Sequence, residues 1–448
     1  MGRDDLASTS ARNVLSELFR SISRAWDQLR SSFWFLPSIM AISAIVLASF
    51  LILLDSLEAS RIGWIAEWTY TFGPESARAI LSAIAGSMIT VAGVTFSMTM
   101  LTLQLASSQF GPRMLRNFMR DRGNQIVLGT FLSTFVYCLL VLASVRGPGG
   151  ASFVPLMAVT LGMILAVASL ATLIYFIHHI ATSIRIETIL AKLAAEACKT
   201  VEQVFPDHRH ASASFSERTL AEVLPADFDS NYRSVVSAES GYIQSLDLDG
   251  LLSTACDHDL IVQTECRVGD FVPHGGSLLV AYPYGRVTDG VAGDLGNVFS
   301  IGQERAPQYD IEFSLRRIVE IAQRALSPGI NDPTTALYCL DRLGEVLGLL
   351  AGRRMLSGRV ADRNMKLRVV FEPISFADLA CSAFAAIGRY GIRDDDLVAR
   401  LLYVMERCSR GAPTLDRETI MRLHDAIRME SAAPGFGGVI VTTKQDYT

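Results

Sequence analysis

The first 184 positions contain four long runs in which no residue is charged. These runs cover residues 33–54, 79–112, 125–145 and 147–184. The hydrocarbon core of a bilayer is about 30 Å thick, and about 20 apolar residues in helical form cross it, because backbone groups in lipid must be hydrogen-bonded within the segment. We therefore predict four transmembrane helices, arranged as two hairpins. The second run is 34 residues long, so its end is expected to emerge from the bilayer.

Positive charge is concentrated on one side of these runs. Five arginines precede the first run: Arg3, Arg12, Arg20, Arg24 and Arg30. Four lie between the second and third runs: Arg113, Arg116, Arg120 and Arg122. The other two loops contain only three: Arg61, Arg78 and Arg146. Because Lys and Arg are retained on the cytoplasmic side, we expect both termini in the cytoplasm. In residues 1–32, apolar residues fall on one helical face among arginines, which predicts an amphipathic helix lying on the membrane surface.

The pattern changes after the fourth run. Apolar residues continue at helical spacing to about Val204, and Pro206 then interrupts them. Between Val235 and Tyr282, short apolar runs separated by Gly, Asp and Pro are typical of strands and turns. Two segments, Gly241–Gln244 and Val268–Gly276, resemble hairpins of lipoyl-like barrel-sandwich modules, but no lysine occupies a hairpin tip to carry biotin or lipoate. The last third again shows amphipathic helical spacing.

These patterns define a fold class and an order of segments. We expect an α-helical integral membrane protein with four transmembrane helices, followed by a cytoplasmic α+β part made of a small β-rich barrel-sandwich-like module and a helical-hairpin domain. The expected segments are an amphipathic N-terminal segment (1–32), the transmembrane domain (33–184), a helical stalk and linker (185–230), the β-rich module (231–300), the helical domain (301–430) and a C-terminal tail (431–448). Within the helical domain, Phe313–Asp332 is echoed by Phe376–Asp394, which predicts two hairpin pseudo-repeats.

The second run carries a polar seam of small and polar residues at alternating spacings of four and three. The polar seam comprises Gly86, Thr90, Gly93, Ser97, Met100, Gln104 and Ser107. Small residues let membrane helices approach closely, and hydroxyls or amides bond across the contact. Alternatively, several copies of the seam could line a water-filled path, and both interpretations stay open. A second stripe of polar residues on the same run is formed by Thr95, Thr99, Thr102 and Gln109.

A short motif separates two amphipathic helices in the last third: Ser327-Pro328-Gly329-Ile330-Asn331-Asp332-Pro333. We expect Gly329 to close the first helix in the left-handed conformation, Asp332 to cap the next helix and Pro333 to occupy its first position. Nearby arginines could bind an anion together with that helix start. The predicted anion or partner site consists of Arg316, Arg317, Arg324, Asn331 and Asp332.

Composition excludes several classes of protein. Hydrophobic residues make up 50% of the 448 residues and charged residues only 19%, which excludes a disordered, collagen-like or disulfide-scaffold chain. The net charge of -5 provides no basic field for nucleic acid, so we expect no such partner. The seven cysteines are scattered without a C-x-x-C pair and are predicted to be reduced.

Catalytic and metal-binding motifs are missing from the sequence. It has no phosphate loop, no G-x-S-x-G elbow, no H-E-x-x-H and no dinucleotide fingerprint. Four side chains of ligand type lie close in sequence but match no usual zinc spacing: Cys256, His258, Cys266 and His274. Glu265 and Asp270 could share a pocket with the two histidines, although sequence distance cannot establish this. We expect no enzymatic activity, no metal and no cofactor.

Three segments together resemble one family of proteins. They are Thr95–Gln104 (TFSMTMLTLQ), Ser108–Arg113 (SQFGPR) and Ala325–Pro333 (ALSPGINDP). Through these segments the chain resembles, from about residue 20 to about residue 430, the bacterial inner-membrane proteins of the domain-of-unknown-function 2254 family. The resemblance implies a location in the bacterial inner membrane and this order of domains, but it supplies no substrate and no catalytic residues.

Two functions from different classes follow from these patterns. The first is a homo-oligomeric, channel-like or transport protein in the lipid bilayer, with a cytoplasmic regulatory domain. It is motivated by the uncharged polar seam joined to a long cytoplasmic half. The alternative is a membrane-anchored ligand sensor or scaffold without a pore, with its ligand or partner near Arg324 and Asp332.

Overall fold

The computed structural model describes residues 34–58, 73–110, 121–146, 153–183, 185–205, 224–355 and 358–432. Its membrane-spanning helices are α1 (Phe35–Glu58), α2 (Pro74–Phe110), α3 (Arg122–Ser144) and α4 (Leu156–Ser183). Each is long and apolar enough to cross a bilayer, so the four predicted membrane helices are confirmed. The amphipathic segment 1–32, residues 206–223 of the linker and residues 433–448 of the tail lie outside the described residues.

The chain divides into two compact units, residues 1–185 and 186–448. In the first unit, α3 packs against α1, α2 and α4 and is the most buried of the four membrane helices. Gly129 of α3 allows a close approach to α1, because a Cβ atom there would lie 2.5 Å from the Met40 sulfur and 3.2 Å from the Pro37 Cα. Small residues at such contacts are the usual basis of helix packing in lipid.

Side-chain hydrogen bonds join α3 to α4 inside the membrane unit. The buried Tyr137 hydroxyl donates to the Ala158 carbonyl oxygen at 2.8 Å, and the hydroxyls of Thr134 and Ser169 lie 3.1 Å apart. These groups have no water to bond with in the bilayer core, so each needs a partner within the protein. The polar residues of α3 therefore fix its position against α4.

The second unit contains both helices and strands. Its helices are α5 (Ile186–Val204), α6 (Leu248–Asp257), α7 (Asp289–Asn297), α8 (Ile311–Ala325), α9 (Pro333–Ala351), α10 (Phe376–Gly391), α11 (Asp395–Ser409) and α12 (Thr414–Ala432). Its strands are β1 (Arg233–Val236), β2 (Gly241–Leu246), β3 (Ile261–Thr264), β4 (Phe271–Val272), β5 (Ser277–Tyr282), β6 (Phe299–Gly302), β7 (Arg359–Ala361) and β8 (Leu367–Val370). The unit is therefore an α+β fold, as predicted.

The strands form two sheets that share one hydrophobic core. The larger sheet has the order β1-β5-β3-β8-β7 and the smaller one the order β4-β2-β6. β3 and β8 run parallel, with Val262 opposite Val369. Val262 of the larger sheet, Ile243 of the smaller sheet and Leu251 of α6 are all buried in the shared core. The resemblance of this β-rich part to barrel-sandwich modules stays a prediction.

One pair of strands lies in a part of the chain for which the sequence predicts only helices. Residues 359–370 supply β7 and β8, which extend the larger sheet next to β3. The segment Leu367-Arg368-Val369-Val370 buries its first three side chains, and the β-branched Val369 and Val370 suit a strand in a sheet. The expectation of a purely helical last third is wrong at this point.

Several helices of the second unit pack against α9, chiefly α5, α8 and α11. α5 places its apolar face, with Leu190, Leu193 and Ala197, in the interior, where α5 contacts α8 and α9. The sequence predicts that α5 projects as a stalk, whereas in the structure its amphipathic face is covered by these two helices, as such a face requires. Asp332 and Asp394 cap α9 and α11 in the same way, and the pseudo-repeat itself stays a prediction.

Candidate functional site

The polar seam lies on an exposed face of α2. Gly86, Thr90, Gly93, Ser97 and Gln104 are all exposed within the membrane unit. Met100, at the same face, is exposed as well, and the Ser107 side chain lies outside the part that the structure describes. The seam is therefore continuous over more than four helical turns, because consecutive members are three or four residues apart.

The glycines of the seam leave open space beside the helix. A Cβ atom at Gly86 or at Gly93 would meet no described atom within 4 Å. The neighbouring hydroxyls are bonded within the helix: Thr90 donates to the Gly86 carbonyl oxygen and Ser97 to that of Gly93, each at 2.9 Å. The seam is thus a smooth face whose hydroxyls retain the ability to accept hydrogen bonds.

Thr95 and Thr102 of the second stripe face the interior of the same bundle, and the Gln109 side chain lies outside the described residues. Thr95 is only 2% exposed and Thr102 is also buried, on the side where Ala92 packs with residues of α3 and α4. The Thr99 hydroxyl donates to the Thr95 carbonyl oxygen at 2.8 Å. The two polar stripes of α2 therefore differ in environment: Thr95 and Thr102 are packed within one chain, whereas no other described helix covers the polar seam.

A polar contact joins one end of α3 to the end of α4. Asp121 caps α3 by accepting a hydrogen bond from the Gly123 amide at 2.8 Å, and its other oxygen lies 2.9 Å from His179 Nε2. A Cβ atom at Gly123 would lie 2.7 Å from that nitrogen, so glycine is needed for the ring to approach. The contact holds the two helices together where they leave the bilayer.

The motif at 327–333 folds mostly as predicted. Asp332 accepts a hydrogen bond from the Thr335 amide at 3.1 Å and so caps α9, and Pro333 is the first residue of that helix. The left-handed residue, however, is Asn331, with φ of 50°, rather than Gly329. That part of the prediction is wrong. Asparagine enters the left-handed region more readily than other side-chain-bearing residues.

The predicted anion or partner site has several of its groups in other contacts. Arg317 is 8% exposed and donates to the Glu196 carboxylate of α5 at 2.9 Å. Asp332 places its own negative charge at the start of α9, where an external anion would otherwise bind. Arg316 is exposed and Arg324 is partly buried. The site stays a prediction, with Arg317 and Asp332 engaged in structural contacts.

Of the four groups considered for a shared pocket, the structure places two in the same cleft. Glu265 and Asp270 line a cleft beside β3 and β8, and the exposed His258 and His274 do not line it. Glu372 lines the same cleft. Sequence reasoning missed Glu372, because it is distant in sequence and joins the cleft only through the parallel pairing of β3 with β8.

The described part of the chain gives little evidence of a metal site or of a reactive thiol. There, no three His, Cys, Asp or Glu side chains come close enough together to hold a metal ion. Burial raises the pKa of the Cys266 thiol to about 12 and that of Cys381 and Cys408 to about 11. At neutral pH these thiols are protonated and are poor nucleophiles.

Four membrane-crossing helices followed by an α+β unit define the class of the protein as an integral membrane protein. The family described as "Predicted membrane protein (DUF2254)" matches residues 30–407, and the chain belongs to this family. Uncharacterized proteins of Mycobacterium bovis and Mycobacterium tuberculosis are 33% identical to it over 419 residues, which is 92% of this chain and 78% of each relative. No solved structure matches the chain.

Proposed function

We propose that this protein is a homo-oligomeric, channel-like protein in which the α2 helices of several copies surround a shared path. The second unit regulates that path from the cytoplasmic side, and the protein has no enzymatic activity. One observation carries the proposal: the polar seam is exposed, while the opposite side of α2 is buried in its own bundle. A second copy can therefore reach the seam without displacing any described part of the membrane unit.

The chemistry of the seam suits contact with protein or water better than contact with lipid tails. Lipid provides no hydrophobic drive for helix association, so helices meet where small residues permit close packing. Gly86 and Gly93 permit that approach, and the oxygens of Thr90 and Ser97 can line a wet path. The seam has no charged group, which favours a path without strong charge selectivity.

The proposed orientation rests on the arginines. With four membrane helices both termini lie on the same side of the bilayer, and the arginine-rich loop between α2 and α3 marks that side as cytoplasmic. The second unit then faces the cytoplasm of a bacterial cell, beneath the inner membrane. A fluorescent protein fused after Thr448 should fluoresce, and a periplasmic reporter at the same place should be inactive.

Ion flux through reconstituted vesicles tests the proposal. The full-length protein should release a potassium gradient, and Ser97→Leu and Gln104→Leu should change the rate. Val94→Leu is the matched control, because Val94 is exposed on the same helix but lies beside the seam. If neither the original protein nor any variant passes an ion or small solute, the pore is excluded.

The alternative is a membrane-anchored ligand sensor or scaffold without a pore. It is favoured by a cleft in the second unit that is lined by charged groups. A monomer in detergent that shows no flux and gains thermal stability with a small ligand would support this alternative over the channel.

A further inference from the structure

A cleft of about 470 Å³ opens beside the larger sheet of the second unit, where β3 and β8 end. The two strands are parallel, with Gln263 opposite Val370. The residues that follow them, including Glu265 and Glu372, therefore lie next to each other although they are far apart in sequence. Crevices at the carboxyl ends of parallel strands are common ligand sites.

The cleft is acidic. Glu265, Asp270 and Glu372 bring three carboxylates to it, and Arg267 brings one guanidinium group. The Arg267 amide donates to Asp270 at 2.8 Å, whereas the guanidinium is 3.7 Å from Glu372 with both side chains well exposed. An exposed pair at this distance is weak, so a ligand cation can replace Arg267 beside Glu372.

Thr264, at the end of β3, provides a separate indication of a ligand. The residue is 8% exposed and lines the cleft. Its hydroxyl makes no hydrogen bond with any residue that the structure describes. The hydroxyl oxygen is not one of the fully buried side-chain atoms that lack a partner among the described residues, so it is accessible from the cleft and free to bond with a ligand there.

The three carboxylates do not form a metal cluster, because among the described residues no three side chains of ligand type come close enough to hold one ion. A ligand that engages several of them has to be larger, with cationic groups at separate positions. Charge-assisted hydrogen bonds from N–H donors are the strongest contacts that carboxylates make, and the cleft volume lies in the range of small-molecule sites.

The cleft is not suited to covalent attachment of a ligand. Cys266 lines the cleft, but its thiol is buried and donates to the Leu278 carbonyl oxygen at 3.4 Å. The binding chemistry is therefore that of hydrogen bonds and charge.

We propose that this cleft binds a small organic cation with two or more amino groups, such as a diamine or polyamine, between Glu265, Asp270 and Glu372. The Thr264 hydroxyl accepts a hydrogen bond from one ammonium group. The proposal is independent of the pore, since all of its residues belong to the second unit.

Calorimetric titration of the full-length protein in lipid nanodiscs with spermidine tests the proposal. We expect one saturable site per chain that weakens at high salt. Glu265→Gln and Glu372→Gln should each weaken binding about tenfold, which corresponds to about 1.4 kcal/mol. Glu418→Gln is the matched control, because Glu418 is exposed on α12 away from the cleft.

Thr264→Val separates binding from folding. It keeps the shape of the side chain and removes a hydroxyl that has no partner in the described structure, so spermidine binding should weaken while the melting temperature is unchanged. The proposal is overturned by the absence of saturable spermidine binding, or by equal binding in the cleft variants and Glu418→Gln. Binding of magnesium chloride alone that is lost in the same variants would also overturn it, because the cleft would then be an ion site.

Discussion

The Asp55 carboxylate, near the end of α1, accepts a backbone hydrogen bond from Ala158 at 3.1 Å, at the start of α4. Its second oxygen accepts one from the Met157 amide at 3.3 Å. The first amides of a helix have no partner within it, and a negative charge there also interacts favourably with the helix dipole. An aspartate of the first membrane helix thus caps the fourth.

Replacing that carboxylate should loosen the membrane unit. Asp55→Ala should destabilise it by about 1 kcal/mol, the usual effect of losing a helix cap. Ser56→Ala is the control, because the Ser56 hydroxyl donates to the Leu53 carbonyl oxygen of its own helix and to no other described residue. Thermal unfolding in detergent measures both variants, and an equal loss of stability in the two would contradict the role of Asp55.

Glycines on two helices should respond differently to added bulk. Gly93→Leu should leave the unfolding temperature of one chain unchanged, because no described atom lies within 4 Å of a Cβ atom there, but it should weaken association between copies. Gly129→Ala should destabilise the chain by about 1–3 kcal/mol, because Met40 and Pro37 occupy the space. Light scattering and thermal unfolding separate the two effects, and unaltered association in Gly93→Leu would exclude the seam as a contact between copies.

A close contact at Gly269 links the β strands to the start of α8. Gly269 has φ of 97°, and a Cβ atom would lie 2.5 Å from both Arg305 Nη2 and Asp310 Oδ2. Gly269→Ala should therefore cost about 2 kcal/mol or more. Gly275→Ala, at φ of 76° with open space around it, should cost only the backbone strain, about 1 kcal/mol. Denaturant unfolding compares them, and equal losses would show that the contact is unimportant.

Acid should weaken the second unit through Asp259. Hydrogen bonds from Lys366, Arg368 and Arg286 hold the pKa of this carboxyl well below its ordinary value. Since the unfolded chain then takes up the proton first, the stabilisation is complete above the unfolded pKa of about 4 and is lost as the pH falls below it. Solvent reaches the side chain and keeps the effect modest.

Asp259→Asn should therefore flatten the decline of the unfolding temperature between about pH 5 and pH 3. Asp249→Asn, at an exposed aspartate of α6, should follow the original protein. A decline in Asp259→Asn as steep as in the original protein would assign the acid sensitivity to other groups.

Local chemistry predicted the membrane helices and several helix starts, because those features depend on neighbouring residues alone. Uncharged runs predicted α1 to α4, and Asp332 with Pro333 predicted the start of α9. Thr95 and Ser97 show what neighbouring residues alone cannot predict. Both belong to polar stripes of similar composition, and only the packing of α2 on α3 decides that Thr95 is buried and Ser97 exposed.

The acidic cleft could not be predicted from the sequence for a related reason. Glu265 and Glu372 meet because β8, formed within a stretch with helical neighbours on both sides, joins the sheet beside β3. Pairing between distant strands leaves no local signal in the residues that it brings together. The left-handed residue of the 327–333 motif is a second feature that local sequence does not determine. Either Asn331 or Gly329 could adopt that conformation, and the hydrogen bonds of the whole turn select Asn331.

The central place of α3 has a consequence for how the protein is made. Chains emerge from the ribosome N-terminus first, so α1 and α2 are synthesised before the helix on which both chiefly pack. Until α3 is inserted, the faces that will meet it remain covered by lipid. Assembly of the membrane unit therefore has to wait for the synthesis of α3, and a nascent chain that stops after α2 holds two helices that lack their common partner.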